Sequence, residues 1–177
     1  KVVRPTKSNF LGFTFWKNGE RWQTKPGDDR KAKLYDKIRE LLSRRKAAAQ
    51  PLSVVFTKIN QVVRGWINYF KIGDMKHFLF KFSQWMRHKI RVVIIKQWKR
   101  SKRIYTNLMR INKALKCNFS DEDIRKVANA RLGWYKRSAG QVVNFLLSPQ
   151  VLGIKKADRP GLVDPLEYYI SRKELQM

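Results

Sequence analysis

The sequence has few of the residues that build disulfides, metal sites or membrane spans. Its 177 residues include one cysteine, Cys117, and two histidines, which excludes an intrachain disulfide and a Cys/His zinc finger. No run reaches the roughly 18 consecutive apolar residues of a membrane span, and the N-terminus lacks the apolar core of a signal peptide. A secreted or membrane-embedded protein is therefore not expected, and the chain is predicted to be cytoplasmic and nucleoid-associated.

Catalytic patterns are also missing. The sequence contains neither a Gly-x-Ser-x-Gly turn nor a glycine-rich phosphate loop. Its clustered acids, residues 28–29 and 121–123, stand where helices ordinarily recruit acids to their first turn. His77 and His88 are eleven residues apart on one predicted helix, too far for two ligands of one metal ion. We expect no catalytic residue, no metal site and no cofactor within these residues.

Positive charge is what the sequence has in excess. Forty lysines and arginines face 13 acids, which gives a formal charge of +27, and Asp74 is the only acid between Glu40 and Asp121. Residues 151–177 carry only +1, so they are not expected to bind an anion. Because 43% of the residues are hydrophobic, a core can form. The composition predicts a folded protein that binds a polyanion, and it does not separate RNA from DNA.

The patterning predicts a mainly α fold. Aromatic residues before Asn18-Gly19 and a polar return strand after it predict an N-terminal β-hairpin. Apolar residues at helical spacing predict helices over about 30–46, 53–70 and 75–99, the second capped by Ser53. Three amphipathic helices joined by short connections are expected to pack as a bundle.

A second helical group follows the basic residues 99–103. Ser120, followed by three acids, predicts the N-cap of one of its helices. Beyond residue 149, several prolines and glycines indicate an irregular tail with at most a short terminal helix. The predicted organisation is a hairpin over 1–27, a three-helix bundle over 28–100, a smaller helical segment over 101–149 and a tail over 150–177.

Four short motifs resemble the group II intron reverse transcriptases, in the order that this family has them. Residues 9–13, Asn-Phe-Leu-Gly-Phe, resemble the primer-grip hairpin at the edge of the palm. Residues 59–70, which include Arg-Gly-Trp-Ile-Asn-Tyr-Phe, resemble the signature of the maturase-specific domain. Residues 98–100 and 128–134 resemble later blocks of that domain. The resemblance covers about residues 9–140.

This resemblance implies a thumb and maturase region that clamps a template–primer duplex and binds intron RNA during splicing. The implied partners are group II intron RNA, the RNA/DNA duplex, target DNA, and the fingers and palm of the same protein, with no membrane. The family's Asp-Asp palm block, which would need Mg2+, is not in this sequence, so the chain is not expected to polymerise alone. The zinc-dependent endonuclease of many relatives is not expected either. Leu132 stands where the family is expected to have a lysine.

Charge and resemblance together predict the residues of a nucleic-acid surface. The primer-grip-like residues are Phe10, Leu11, Gly12 and Phe13. The predicted nucleic-acid-binding residues are Lys58, Arg64, Asn68, Lys71, Lys76, Lys81, Arg87, Arg91, Lys99, Arg100, Lys102, Arg103, Arg131, Lys136 and Arg137. Changing Lys81, Arg87 and Arg91 to glutamate is expected to weaken RNA binding and to leave the helical content intact.

Two other hypotheses remain open from the sequence. A free-standing basic structural protein that binds RNA or DNA would explain the charge, although not the ordered motifs. A separated piece of a polymerase would regain catalysis only when mixed with the missing fingers and palm.

Overall fold

The computed structural model describes residues 4–174, which form a small sheet followed by helices. After a single 3-10 turn at Pro5–Lys7, three antiparallel strands pair in the order β1-β2-β3. The strands are β1 (Asn9–Phe10), β2 (Phe13–Asn18) and β3 (Arg21–Pro26). The helices are α1 (Asp28–Leu41), α2 (Arg44–Ala49), α3 (Leu52–Phe70), α4 (Lys76–Trp98), α5 (Ser101–Ala114), α6 (Asp121–Asn129), α7 (Trp134–Arg137), α8 (Gln141–Leu146), α9 (Pro149–Gly153) and α10 (Pro165–Glu174). The mainly α class with an N-terminal hairpin is confirmed.

The hairpin gains a strand that the sequence pattern did not predict. Leu11 and Gly12, with φ of +52° and +84°, turn the chain from β1 into β2. A Cβ atom on Gly12 would lie 2.8 Å from Nε of Arg30, so this position requires glycine for its backbone and for space. In the second turn Asn18 stays in β2 opposite Arg21, and Gly19, with φ of +60°, is the first turn residue. The Asn-Gly prediction of a turn is thus confirmed, one residue later than expected.

The bundle is built by α1, α3 and α4, as the helical spacing predicts. Ile38, Phe56, Ile59, Leu79 and Phe82 are fully buried where these helices meet. The predicted helix over 30–46 is divided into α1 and α2, because Ser43 has an extended backbone with ψ of 123°. The start of α3 also differs from the prediction. Pro51 precedes the first turn and accepts the amide of Val55, so Ser53 lies inside the helix rather than at its cap.

The second helical group packs around α5. Ile104 and Leu108 of α5 are fully buried together with Ile124 of α6 and Val143 of α8. The hydroxyl of Ser120 accepts the amide of Asp123 at 3.1 Å, which confirms the predicted N-cap of α6. This group is therefore continuous with the bundle through a common core.

The tail is anchored to the bundle by buried hydrogen bonds. Asn60 of α3 donates its amide to the Gly161 carbonyl at 2.8 Å and accepts the amide of Val163 at 2.9 Å. The terminal helix, expected to be short, is confirmed as α10, and its Tyr169 is fully buried. The Tyr169 hydroxyl donates to the Gly73 carbonyl at 2.9 Å, in the connection between α3 and α4. The tail thus completes the core instead of lying free of it.

The connection between α3 and α4 also contacts the sheet. The amide of Asp74 donates to the carbonyl of Thr24 in β3 at 2.8 Å. Gly73 lies close to β3 as well, because a Cβ atom there would be 3.3 Å from the Lys25 Cα. The sheet and α10 are therefore bonded to neighbouring residues of one short connection.

Candidate nucleic-acid interface

The acids of the described residues pair with cations in three places. Six of the seven ion pairs lie on α1 or α6, and examples are Asp36–Arg39 at 2.6 Å and Glu122–Lys126 at 2.8 Å. The seventh joins Arg87 of α4 to Asp164 at 2.6 Å. Within residues 4–174, Arg87 is the only predicted nucleic-acid-binding cation that has a carboxylate partner. Most cations of α2, α3 and α5 thus have no carboxylate partner among the described residues and can attract an external anion.

The start of α5 places cations where the helix itself disfavours them. Lys102 and Arg103 lie in its first turn, beside Lys99 and Arg100, and all four side chains are exposed. The N-terminus of a helix carries a partial positive charge, so each cation there costs about 0.3–1 kcal/mol at low salt. The first turn of α6 holds three acids instead. A bound phosphate would reverse this local cost on α5.

Three further cations of α2, which the prediction did not include, lie against the same end of α4. Arg44, Arg45 and Lys46 are exposed. The side-chain amide of Gln97 donates to the carbonyls of residues 47 and 50 at 3.2 and 2.8 Å, and Lys96 Nζ donates to the Arg44 carbonyl at 3.1 Å. The run Arg-Arg-Lys was visible in the sequence, but its place beside residues 99–103 required the fold. We call these seven cations the basic end: Arg44, Arg45, Lys46, Lys99, Arg100, Lys102 and Arg103.

The polar face of α3 contacts the tail. Asn60, Arg64 and Asn68 recur every four residues and therefore share one side of the helix. Asn60 is buried against the tail, whereas Arg64 and Asn68 are exposed. The hydroxyl of Tyr168 donates to Oδ1 of Asn68 at 3.2 Å, and the Arg64 guanidinium lies 5.8 Å from the Tyr168 ring centre. Part of this motif thus anchors the chain, and part remains accessible to a ligand.

The other predicted cations divide between exposed and half-buried positions. On α3 and α4, Lys58, Lys76 and Lys81 are exposed, and Lys71 is half-buried at the C-cap of α3. Arg131, which precedes α7, and Lys136, within α7, are exposed. This helix packs on α4. These side chains are not collected at the basic end. The interface therefore has one dense patch and scattered flanking charges.

Two of the predicted contacts on α4 point into the protein. Arg91 is 8% exposed and donates to the carbonyls of Leu147 at 3.0 Å and Asn144 at 3.4 Å. Burial and the nearby charge of Arg87 lower the pKa of Arg91 to about 10. Arg87 is held by Asp164. Neither guanidinium is available as a surface contact. The variant with both residues changed to glutamate is therefore expected to lose helical content, because the new negative charges would face carbonyls and a carboxylate.

Arg137 is also turned back onto its own chain. It donates a hydrogen bond to the carbonyl of Ala130, and its guanidinium lies 5.2 Å from the centre of the Trp134 ring. The side chain is half-buried, and its Nε has no partner among the described residues. We therefore assign Arg137 to the support of the α6–α7 connection, not to the exposed surface.

The primer-grip-like residues pack against α3. Phe10 and Leu11 are each 65% exposed, Gly12 is buried, and the Phe13 ring lies 5.0 Å from the Phe70 ring. The hydroxyl of Tyr69 donates to the carbonyl of Leu11 at 3.1 Å. Between these elements is a cavity of about 470 Å³, lined by the following residues: Leu11, Arg30, Lys33, Leu34, Lys37, Val62, Trp66, Tyr69 and Phe70. The sheet thus presents an apolar edge next to Lys33, which forms no ion pair within residues 4–174.

His88 of α4 has a half-buried ring. Its Nε2 is buried without a partner in the described part of the chain, and its ring meets the Tyr135 ring at 4.2 Å. Burial, and then the charges of Arg91 and Lys89, lower its pKa below 6.5. The folded protein therefore disfavours a proton on His88 more than the unfolded chain does.

This difference predicts a loss of stability in mild acid. Because the folded pKa is lower, the unfolded chain binds more protons as the pH falls below about 6.5, and stability falls until the folded pKa is passed. The His88→Gln variant should lose this part of the pH dependence, whereas His77→Gln, at an exposed position, should keep it. Urea unfolding between pH 5 and 8 measures how the free energy of unfolding of each protein depends on pH. Parallel curves for wild type and His88→Gln would contradict the assignment.

Two kinds of site are not seen in the part of the chain that is described. Over residues 4–174, no helix is long and apolar enough to cross a membrane. Nor do these residues contain a group of three or more His, Cys, Asp or Glu side chains that could hold a metal ion.

One comparison with known proteins finds a match. Residues 31–111 match the family model described as "Group II intron, maturase-specific domain". The match runs from α1 into α5 and so includes the basic end and the motif of α3, but not the sheet or the tail. No curated protein matches the chain.

Proposed function

We propose that this chain, whose residues 31–111 match the group II intron maturase-specific domain, binds group II intron RNA directly and thereby assists splicing. The observation that carries the proposal is the basic end. Its seven cations are exposed on α2 and on residues 99–103, and α2 is hydrogen-bonded to the last turn of α4. No described carboxylate pairs with them. Such a surface attracts the phosphates of a folded RNA and releases their counterions on binding.

The fold supports RNA as the polyanion in a second way. The basic end is held by rigid elements, since Lys96 and Gln97 tie α2 to the last turn of α4. A-form RNA is recognised mainly through its shape and backbone, which suits cations fixed at helix ends. Exposed Tyr135 and half-buried Trp98 offer rings that unpaired bases can stack on.

Neutralising residues 99, 100, 102 and 103 should weaken binding to a folded group II intron transcript and flatten its salt dependence. The quadruple change of Lys99, Arg100, Lys102 and Arg103 to glutamine removes up to four phosphate contacts, so the slope of log K against log salt should fall by up to about 4. Filter binding between 50 and 300 mM salt measures the slope. The same variant should no longer accelerate splicing of the transcript.

A matched control removes the same charge from paired positions. Lys31, Arg39, Arg125 and Lys126 each have a carboxylate partner on α1 or α6, and changing all four to glutamine lowers the net charge equally. This variant should retain most of the slope of the wild type. Equal losses in the two variants would show that net charge alone drives binding, and would contradict a specific interface.

A second proposed contact is with the template–primer duplex of reverse transcription. Phe10 and Leu11 are exposed at the edge of a cavity that also borders Lys33 and Lys37, an arrangement suited to the end of a nucleic-acid strand. Fingers and a palm with bound Mg2+ would have to supply the chemistry, in the bacterial cytoplasm. Mixing this chain with such a portion should give primer extension, and the Phe10→Ala/Leu11→Ala variant should lower it. Extension without this chain would contradict the proposal.

A further inference from the structure

Two arginines from distant parts of the sequence meet at one aromatic ring. Arg64 of α3 and Arg172 of α10 have their guanidinium carbons 5.8 and 5.1 Å from the centre of the Tyr168 ring. The Tyr168 hydroxyl is fixed by its hydrogen bond to Asn68. Each guanidinium is attracted to the ring face, so the ring holds two like charges near each other.

Neither arginine is neutralised by the protein. Both side chains are exposed, and neither is among the ion pairs of residues 4–174. Burial, the largest single effect, raises the pKa of Tyr168, but its hydrogen-bond partners Arg172 and Asn68 and the charges of both arginines together lower that pKa. Both arginines thus contribute positive potential at the ring.

The same protein contains a neutralised counterpart. Arg125 of α6 lies 5.2 Å from the centre of the Tyr105 ring, and it is paired with Asp121. A stacked arginine with a carboxylate already has its anion. The arginines at Tyr168 lack one among the described residues, and this contrast separates a structural stack from a ligand site.

Arg64 also lines a polar groove. It has a volume of about 590 Å³ and runs between α3 and residues 153–163. Arg64 lines it on the α3 side, with Thr57 and Gln61, and Lys155 lines it on the tail side. Lys155 is exposed and has no carboxylate partner in the described chain. Cations therefore border the groove on both sides.

We propose that Arg64, Lys155, Tyr168 and Arg172 form a backbone-binding site, the tail site, which takes phosphodiester groups of the RNA strand bound by this protein. Guanidinium groups bind phosphate oxygens in bidentate fashion, and the Tyr168 ring holds them in place before the ligand arrives. Although the net charge of the tail is low, its Lys155 and Arg172 would thus contact the RNA backbone. The identity of the ligand rests on the proposed function.

Single changes at the ring test the tail site. The variants Arg64→Gln and Arg172→Gln should each lower the affinity for a folded group II intron transcript several-fold and reduce the salt slope by about one. Arg125→Gln, the matched control, should change neither. Arg172→Lys keeps the charge but loses the planar fork, so it should retain the slope and bind more weakly than the wild type. Circular dichroism checks the helical content of each variant.

The outcomes separate this site from the proposed function. If the wild type binds the transcript with a steep salt response but Arg64→Gln and Arg172→Gln behave like Arg125→Gln, the tail site is wrong and the proposed function stands. A flat salt response of the wild type contradicts the proposed function itself. A DNA duplex of equal length is the second probe, and a loss confined to that DNA would overturn the assignment to RNA. Arg172 lies on an exposed face of the last helix, so its variant tests the site even if Arg64→Gln fails to fold.

Discussion

Replacing Tyr169 with alanine is expected to lower the free energy of unfolding by about 3–5 kcal/mol, the range for deleting a large buried aromatic side chain. Tyr169 is fully buried, and its hydroxyl donates to the Gly73 carbonyl at 2.9 Å. The loss has two parts, the cavity left by the ring and an acceptor left without its donor. Urea unfolding followed by circular dichroism measures it.

Two variants separate these parts. Tyr169→Phe keeps the ring but leaves the buried Gly73 carbonyl without its donor, so it should cost about 1–3 kcal/mol. Ile170→Ala, at the next position, truncates a side chain that is 36% exposed and should cost less than Tyr169→Ala. If Tyr169→Ala unfolds at the same urea concentration as the wild type, α10 does not belong to the core.

Replacing Arg87 with alanine is expected to destabilise the protein by about 1.5–3 kcal/mol, since it leaves a half-buried carboxylate without its charged hydrogen-bond donor. The side chains of Arg87 and Asp164 are 14% and 16% exposed, and their atoms approach to 2.6 Å. Asp164 also accepts the amide of Leu166 at 2.9 Å, so the ion pair is joined to the start of α10. Thermal and urea unfolding measure the change.

The exposed ion pair of α1 is the matched control for this prediction. Arg39 and Asp36 also approach to 2.6 Å, but their side chains are 59% and 69% exposed. Arg39→Ala should therefore cost about 1 kcal/mol or less. The double variant Arg87→Leu/Asp164→Asn should recover part of the loss, because asparagine can still cap α10 and no buried charge remains. Equal effects of Arg87→Ala and Arg39→Ala would contradict the role of burial.

The helices of the bundle were predictable because their information is local. Apolar residues at helical spacing, such as Ile59 and Ile67, are buried in the structure as expected, and Ser120 forms the cap that its three acids indicated. The cations at residues 99–103 were predictable for the same reason. The first turn of α5 contains no acid, and the four cations at residues 99, 100, 102 and 103 are all exposed.

The direction of individual arginines on α4 was not predictable, because it depends on residues far along the chain. Arg87 meets a carboxylate 77 positions later, and Arg91 meets a carbonyl 56 positions later. A cation on an otherwise basic helix gives no local sign that it is buried. The same holds for Asn60, whose amide binds a carbonyl 101 residues away. The low net charge of the tail likewise gave no reason to predict that Arg172 lies beside Arg64.

The connection between α3 and α4 has a mechanical consequence. Its Gly73 carbonyl is held by Tyr169 from the last helix, and its Asp74 amide is bonded to Thr24 of the sheet. The last helix and the sheet are thus both fastened to the single peptide group that links Gly73 to Asp74. If a nucleic-acid strand pulled on the sheet, the load would reach the hydrogen bond of Tyr169 through this connection. A displacement of the sheet would then be transmitted to α10 instead of being absorbed by a flexible loop.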